Sequence, residues 1–498
     1  MKASQNFLAF DLGASNGRAL LGAFDGGTLG CEEVYHFPNN PVFLHSGLHW
    51  DVLKLFTEIK KGLGLCAGKH GAALSGIGID TWAVDYGLLD RSGELIGNPY
   101  HYRDRRTEGM VEEVAGILGG YETYRTTGVR LAPINTICQL YSMVRNDSPQ
   151  LSIADTFLMM PCLLNYFLSG EKLQEHSNVT TTGLYDIYKN APAEDFFRKL
   201  GIPAGIIGKV MDPGTVVGSL RADVRKEMGL GIVPVVVPAT HDTASAVVSV
   251  PADEKKKWAF LSCGTWSVLG RETEKPVTTK ESYKLNITNA ATAEGKYMTI
   301  ANITGLWLVQ ECKRIWDKEG ESLGYPDLVS LARKAQPFAS FIDVDDQAFV
   351  NPVNMPETII ACCRNTGQRP PKDKGGIVRL VLESMAFKYK MFLEKLERLT
   401  GERFEILHMV GGGAQNRLLG QFTADALGIP VLAGPYEATA LGNILMQMKG
   451  VGAIGSVSQG RALLRKSIDL IEYTPKDAER WNEVFPGYRK ITGGKEPC

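Results

Sequence analysis

The chain has 498 residues, too many for one ordinary hydrophobic core, so two large domains are expected. A composition 44% hydrophobic and 22% charged is that of a globular protein and excludes disordered and fibrous classes. With 54 basic against 55 acidic side chains the formal charge is -1, which removes any overall electrostatic drive toward nucleic acid or an anionic membrane.

The opening reads as a meander: a strand over 7–11, a small-residue turn over 13–17, a strand over 18–24, the turn Asp25-Gly26-Gly27, and a third strand over 31–37. Asp11 interrupts the first apolar run, so no secretory leader pattern forms there. A helix follows over 50–65, with Leu53, Phe56, Ile59 and Leu63 expected on its inner face. Strands are expected over 74–79 and 84–89, on either side of a polar break at Asp80-Thr81, and the stretch 103–209 reads as irregular and mostly helical. The apolar run 233–239 is a buried strand leading into Thr240-His241-Asp242-Thr243 and a helix start. At 257–271 the sequence WAFLSCGTWSVLGRE repeats the plan of FLAFDLGASNGRALLGAF, about half a chain later, with the charged segment PADEKKK as the join. The last part holds a long amphipathic helix over 375–400, stopped by Gly401, with Met391 and Leu399 among its expected core residues. Then come a strand over 404–410, a glycine turn at 411–413, a helix over 416–427, a strand over 430–433 and a helix over 437–448.

The nine cysteines, from Cys31 to Cys498, include no CxxC pair, which argues against zinc clusters and a secreted disulfide framework. No stretch approaches the roughly 18 apolar residues of a membrane span. The expectation is a cytoplasmic protein, a monomer or weak homo-oligomer, with no nucleic-acid or membrane partner.

Neither a GxxxxGK[ST] loop nor protein-kinase signatures occur, so any bound nucleotide needs another phosphate cradle. The two hairpin turns, Gly13-Ala14-Ser15-Asn16-Gly17-Arg18 and Ser262-Cys263-Gly264-Thr265, offer backbone N–H groups and side-chain donors, although each also reads as an ordinary turn. Asp11, beside the first turn, is a turn former or a group that holds Mg²⁺ through water. Asp242 lies beyond the carboxyl end of a buried strand, where ligands collect in α/β folds; it is either a helix cap or a general base. Gly411-Gly412-Gly413 permits close backbone approach to a flat ligand or makes a tight strand-to-helix turn. The segment Ile79 to Tyr86 mixes aromatic rings with carboxylates, which suits a sugar with one apolar edge.

Taken together, FDLGASNGR, GIDTWAVDYGLLD, YRDRRT, PATHDTASAV, LSCGTWSVLG, NITGLWLVQ, VGGGAQN and GPYEATALGNI resemble, in order and spacing, the FGGY carbohydrate kinases. The resemblance implies an α/β fold of two actin-like, ribonuclease-H-like domains facing an interdomain ATP cleft, with 1–250 carrying the sugar site and 251–498 carrying nucleotide contacts. It implies ATP contacts at Ala14, Ser15, Asn16, Gly17, Arg18, Thr265, Gln310 and Gly412. It implies sugar contacts at Ala83, His241, Asp242, Thr243 and Asn302, with Asp242 as the catalytic base, and ATP and Mg²⁺ as cofactors. The expected reaction is phosphorylation of L-rhamnulose at O1. Ala83 stands where family members with this motif set carry Gly, which bears on the choice of sugar. The rival readings are a kinase for L-fuculose or another ketose, an actin-like ATPase without a sugar, and a non-catalytic sugar sensor.

Overall fold

The computed structural model describes residues 4–493; Cys498 lies outside them. In chain order, the first strands that matter for function are β1 (Gln5–Leu12), β2 (Asn16–Phe24), β3 (Leu29–Pro38), β4 (Gly76–Thr81), β5 (Thr215–Ser219) and β6 (Pro234–Val237). They are followed by β7 (Trp258–Cys263), β8 (Trp266–Thr273), β9 (Tyr297–Thr304), β10 (Ile406–Val410), β11 (Val431–Ala433) and β12 (Ile471–Tyr473). The helices are α1 (Val52–His70), α2 (His176–Val179), α3 (Asp242–Val248), α4 (Trp307–Lys318), α5 (Lys374–Thr400), α6 (Arg417–Leu427) and α7 (Ala438–Gly450).

The chain folds into two compact units, one of Met1–Ser249, Glu272–Thr299 and Ala438–Ser467, the other of Val250–Arg271, Ile300–Glu437 and Ile468–Cys498. In the first, the strand order is β5-β6-β4-β1-β2-β3. Strand β1 pairs antiparallel with β2 and parallel with β4. In the second unit the order β9-β8-β7-β10-β11-β12 repeats this plan, with β7 antiparallel to β8 and parallel to β10. A hairpin strand flanked by a parallel crossover strand thus recurs in both sheets, as the repeated sequence pattern predicts. The hairpin strands have small polar turns between apolar runs, and the crossover strand is buried, which a parallel strand between helix layers requires.

Three local expectations are corrected. Leu53 is 61% exposed, and the buried stripe of α1 is Val52, Leu55, Ile59, Leu63 and Cys66. Asp51 caps the helix through its side chain, which accepts from Lys54 N, and with the helix starting at Val52 the inward stripe takes in Val52 and Leu55 and leaves Leu53 outside it. Asp80 and Thr81 are no break but the last residues of β4, both fully buried; Asp80 Oδ2 and Thr81 N find partners on distant segments, Asn443 and Thr240. In α5, Met391 and Leu399 are only half-buried, whereas Leu382, Phe387, Tyr389 and Leu393 join the core. No helix among the described residues is long and apolar enough to cross a membrane.

Candidate active site

The sheet of the first unit brings charge together by register. Asp11 lies opposite Arg18 across the β1–β2 hairpin and beside Asp80 on β4. Arg18 Nη2 donates to Asp11 Oδ2 at 2.9 Å. Asp80 Oδ2 accepts from Asn443 Nδ2 of α7 at 2.6 Å, while its Oδ1 is buried without a partner. Asn443 is itself held by Gln447, whose Nε2 donates to Asn443 Oδ1 and to Leu8 O. Burial pushes both carboxyls up from the usual range. The neighbouring carboxylates add to this: Asp242 acts on Asp11, and Asp11 and Asp242 act on Asp80, while Arg18 opposes the rise at both. Three carboxylates share this corner, and one carries an orphaned buried oxygen. Such a corner favours a bound cation.

The turn between β1 and β2 is shaped by its carbonyls. Gly13 N donates to Asn16 O at 2.8 Å; Asn39 Nδ2 donates to Gly13 O at 2.9 Å and Asn39 N to Ser15 O at 3.0 Å. Ala14 N and Ser15 N take no part in these bonds, so the bend is held without spending the donors a phosphate needs. Asn39 is buried, and sequence reasoning missed it.

Strand β6 ends at Val237, just before the tetrad, and Thr81 N donates to Thr240 O at 2.9 Å, which places the tetrad against the end of β4. Asp242 is the first residue of α3, and the cap position belongs to His241, which makes no side-chain cap bond. Asp242 Oδ1 accepts from Thr243 N at 2.6 Å and Thr243 Oγ1 at 3.2 Å, and His241 Nε2 lies 3.4 Å away. One-third of the Asp242 side chain is open to solvent. Burial raises its carboxyl to about 6, against the opposing pull of the Thr243 bonds, and burial lowers His241 to about 4. At neutral pH the pair is therefore a carboxylate beside an uncharged imidazole. This carboxylate is not engaged as a helix cap.

A second buried acid holds the tetrad in place. Glu175 Oε2 accepts from Thr240 N at 2.9 Å, Thr240 Oγ1 at 2.6 Å and Ser177 Oγ at 2.6 Å, and Ser177 Oγ in turn accepts from His241 N at 3.2 Å. Glu175 also caps α2 by accepting from Ser177 N and Asn178 N, but its tie to the tetrad is invisible in the sequence, because Thr240 lies 65 residues from Glu175 and His241 64 from Ser177. Behind the tetrad, α7 crosses α3 at Gly442, where a Cβ would fall 1.8 Å from Ser245 O. Ala83, also in this unit, is half-buried and has ordinary backbone; the left-handed residue is its neighbour Val84, at φ 70°.

In the second unit, Gly305 N and Trp307 N donate to Thr265 O, and Leu306 N donates to Gly264 O, fixing the turn against the start of α4. Thr265 Oγ1 donates to Gln310 Oε1 at 3.1 Å, so these two predicted ATP contacts are neighbours. Of the glycines after β10, Gly413 serves packing, since a Cβ there would sit 2.4 Å from Cys263 Sγ, whereas Gly412 faces open space. Asn302 projects from β9 as an exposed residue. Thus Asp11, the 14–18 turn, Ala83 and the 241–243 group lie in the first unit, and Thr265, Asn302, Gln310 and Gly412 lie in the second.

Comparison with known proteins identifies the family. Residues 6–249 match the model of the "FGGY family of carbohydrate kinases, N-terminal domain", and residues 259–451 match that of its C-terminal domain. A protein of Bacteroides thetaiotaomicron named Rhamnulokinase is 40% identical over 481 residues, covering 97% of this chain and 98% of its own. A Rhamnulokinase of Oceanobacillus iheyensis is 36% identical over 466 residues, covering 94% and 97%. Among solved structures, gluconate kinase from Lactobacillus acidophilus superposes with a TM-score of 0.80 at 14% identity, covering 98% of each chain. Plasmodium falciparum glycerol kinase with ADP gives 0.79 at 16%, covering 98% and 97%. The two-domain actin-like fold is thereby shared with sugar kinases of quite different sequence, and the match of both domain models establishes that this chain belongs to the FGGY family of carbohydrate kinases.

Proposed function

We propose that this protein transfers the γ-phosphoryl group of ATP to O1 of L-rhamnulose, giving L-rhamnulose 1-phosphate and ADP. The sequence likeness to proteins named Rhamnulokinase supports the sugar. The observation that carries the chemistry is Asp242, an uncapped carboxylate at the start of α3, partly open to solvent and backed by an uncharged His241.

In this reading residues 1–250 hold the sugar and residues 251–498 supply nucleotide contacts. Asp242 accepts the O1 proton as O1 bonds to the γ-phosphorus and the bond from phosphorus to the ADP oxygen breaks. In a loose transition state the proton leaves late, so much of the aspartate's contribution is orientation of the hydroxyl. His241, Thr243, Ala83 and Asn302 contact the sugar. Donors at Ala14 to Arg18 and at Thr265, with Gln310 and Gly412, hold the nucleotide. The acidic corner fits Mg²⁺, which would neutralise phosphate charge when bound; Asp11 would hold it through water. Among the described residues no three His, Cys, Asp or Glu side chains form a direct cage.

The test is ADP release measured with L-rhamnulose, L-fuculose, D-xylulose, glycerol and no sugar. The expected result is strongest turnover with L-rhamnulose and little without a sugar. Equal ADP release in the absence of any sugar would replace this reading with an actin-like ATPase.

A further inference from the structure

The segment after β4 buries a carboxylate that the reaction does not use. Asp85 is fully buried and gathers four donors. Its Oδ2 accepts from Trp50 Nε1 at 2.6 Å, Trp82 Nε1 at 2.9 Å and Tyr102 N at 3.2 Å; its Oδ1 accepts from Gln139 Nε2 at 2.9 Å. These bonds only partly offset the cost of burial, which leaves the carboxyl at about 6. The four donors tie this one carboxylate to residues 50, 102 and 139 as well as to its own segment.

What it fixes is a stack of rings. The centroids of Trp50 and Trp82 are 4.0 Å apart, those of Trp50 and His101 4.2 Å, and those of His101 and Tyr102 4.4 Å. Burial lowers His101 to about 4, so every ring of the stack is uncharged at neutral pH. The stack reaches the candidate site from two sides. Trp82 and Ala83 follow directly on Thr81, which bridges to His241. On the other side, burial pushes the Tyr102 phenol up, Arg103 opposes the rise, and the carboxylates of Asp85 and Asp242 add to it. Gln139 links Asp85 to a counter-charge: Arg106 Nη2 donates to Gln139 Oε1 at 2.8 Å, and the guanidinium lies over the Tyr100 ring at 4.0 Å.

We infer that Asp85 is a positioning residue for the sugar: by holding the buried Trp50 and Trp82 indoles and the Tyr102 backbone on one carboxylate, it fixes from behind the half-buried Ala83 and Tyr102, against which the ketose rests. The inference builds on the sugar-kinase reading but concerns a different step, the capture of the sugar.

Asp85→Ala removes all four acceptor contacts, whereas Asp85→Asn keeps an oxygen for the two indoles and the Tyr102 N–H and loses only the Gln139 link. The measurements are KM for L-rhamnulose and for ATP, kcat, and sugar titration by tryptophan fluorescence without ATP. Asp85→Ala should raise the sugar KM and the fluorescence half-saturation by about 10–100-fold while KM for ATP stays within about twofold. Asp85→Asn should shift the sugar constants by less than about fivefold. Where Asp85→Ala does not fold, Trp82→Phe is read instead; it keeps the ring edge but removes one donor, and should raise the sugar KM alone by about 3–10-fold. A wild-type enzyme that acts on L-rhamnulose, with Asp85→Ala or Trp82→Phe leaving sugar binding unchanged, overturns the inference. Parallel rises in both KM values overturn it too. A wild-type protein that phosphorylates none of the ketoses overturns the sugar-kinase reading instead.

Discussion

Replacing Asp242 by Asn separates the catalytic role of this residue from its structural one. The amide retains an oxygen for Thr243 N at 2.6 Å and Thr243 Oγ1 at 3.2 Å, so the start of α3 is preserved. What is lost is the proton acceptor, whose removal should lower kcat by about 10²–10⁴-fold. Stability should move the other way. The folded carboxyl titrates at about 6 against 3.8 for the free group. Its contribution is therefore favourable below 3.8, is lost as pH rises through 6, and is a penalty at pH 7. The shift alone corresponds to about 3 kcal/mol. With a third of the side chain in water, about 1 kcal/mol is the realistic gain for the Asn variant at pH 7. ADP release with L-rhamnulose and thermal melting at pH 5 and pH 8 read both effects, and wild-type kcat/KM should rise with pH through about 6. A variant that turns over within tenfold of wild type would remove Asp242 from proton transfer.

Other substitutions probe the supports of the site. Asn39→Ala frees the carbonyl of Gly13, while the backbone N–H of residue 39 still holds Ser15 O, and should raise KM for ATP by about 3–10-fold, with the sugar KM unchanged, in the same assay. Ser177→Ala removes the acceptor for His241 N and should lower kcat by about tenfold. Glu175→Ala leaves several buried donors unsatisfied and should cost about 3–5 kcal/mol in urea denaturation. Gly442→Ala drives a methyl into Ser245 O, and the helix carrying Asp242 must shift; a loss of about 2–3 kcal/mol with reduced kcat is expected from denaturation and turnover.

Much of the fold was legible because its signals are local. The β1–β2 hairpin and its counterpart at β7–β8 announce themselves through apolar runs around a small polar turn, and α5 through its long amphipathic stripe and terminal Gly401. The 241–243 group stood out because it follows a buried apolar strand. The failures share one cause, partners remote in sequence. Asp80 reads as a break until Asn443, 363 residues later, supplies its donor. Glu175 and Asn39 act on the site through Thr240 and Gly13, 65 and 26 residues away, and nothing at those distances marks them in the sequence. The three glycines at 411–413 were visible, yet only the packing of Cys263 shows that Gly413 serves the neighbouring strand while Gly412 faces outward.

The position of α7 also bears on how the protein is made. Its Asn443 and Gln447 reach the first strands of the chain, at Asp80 and Leu8, so the first unit closes only when the ribosome has passed residue 450. At about 5–20 residues per second, Asp80 waits tens of seconds for its donor while the seat of α7 stays unfilled. Until then the apolar surface that α7 covers stays open to water, and a chain truncated before α7 would keep it so.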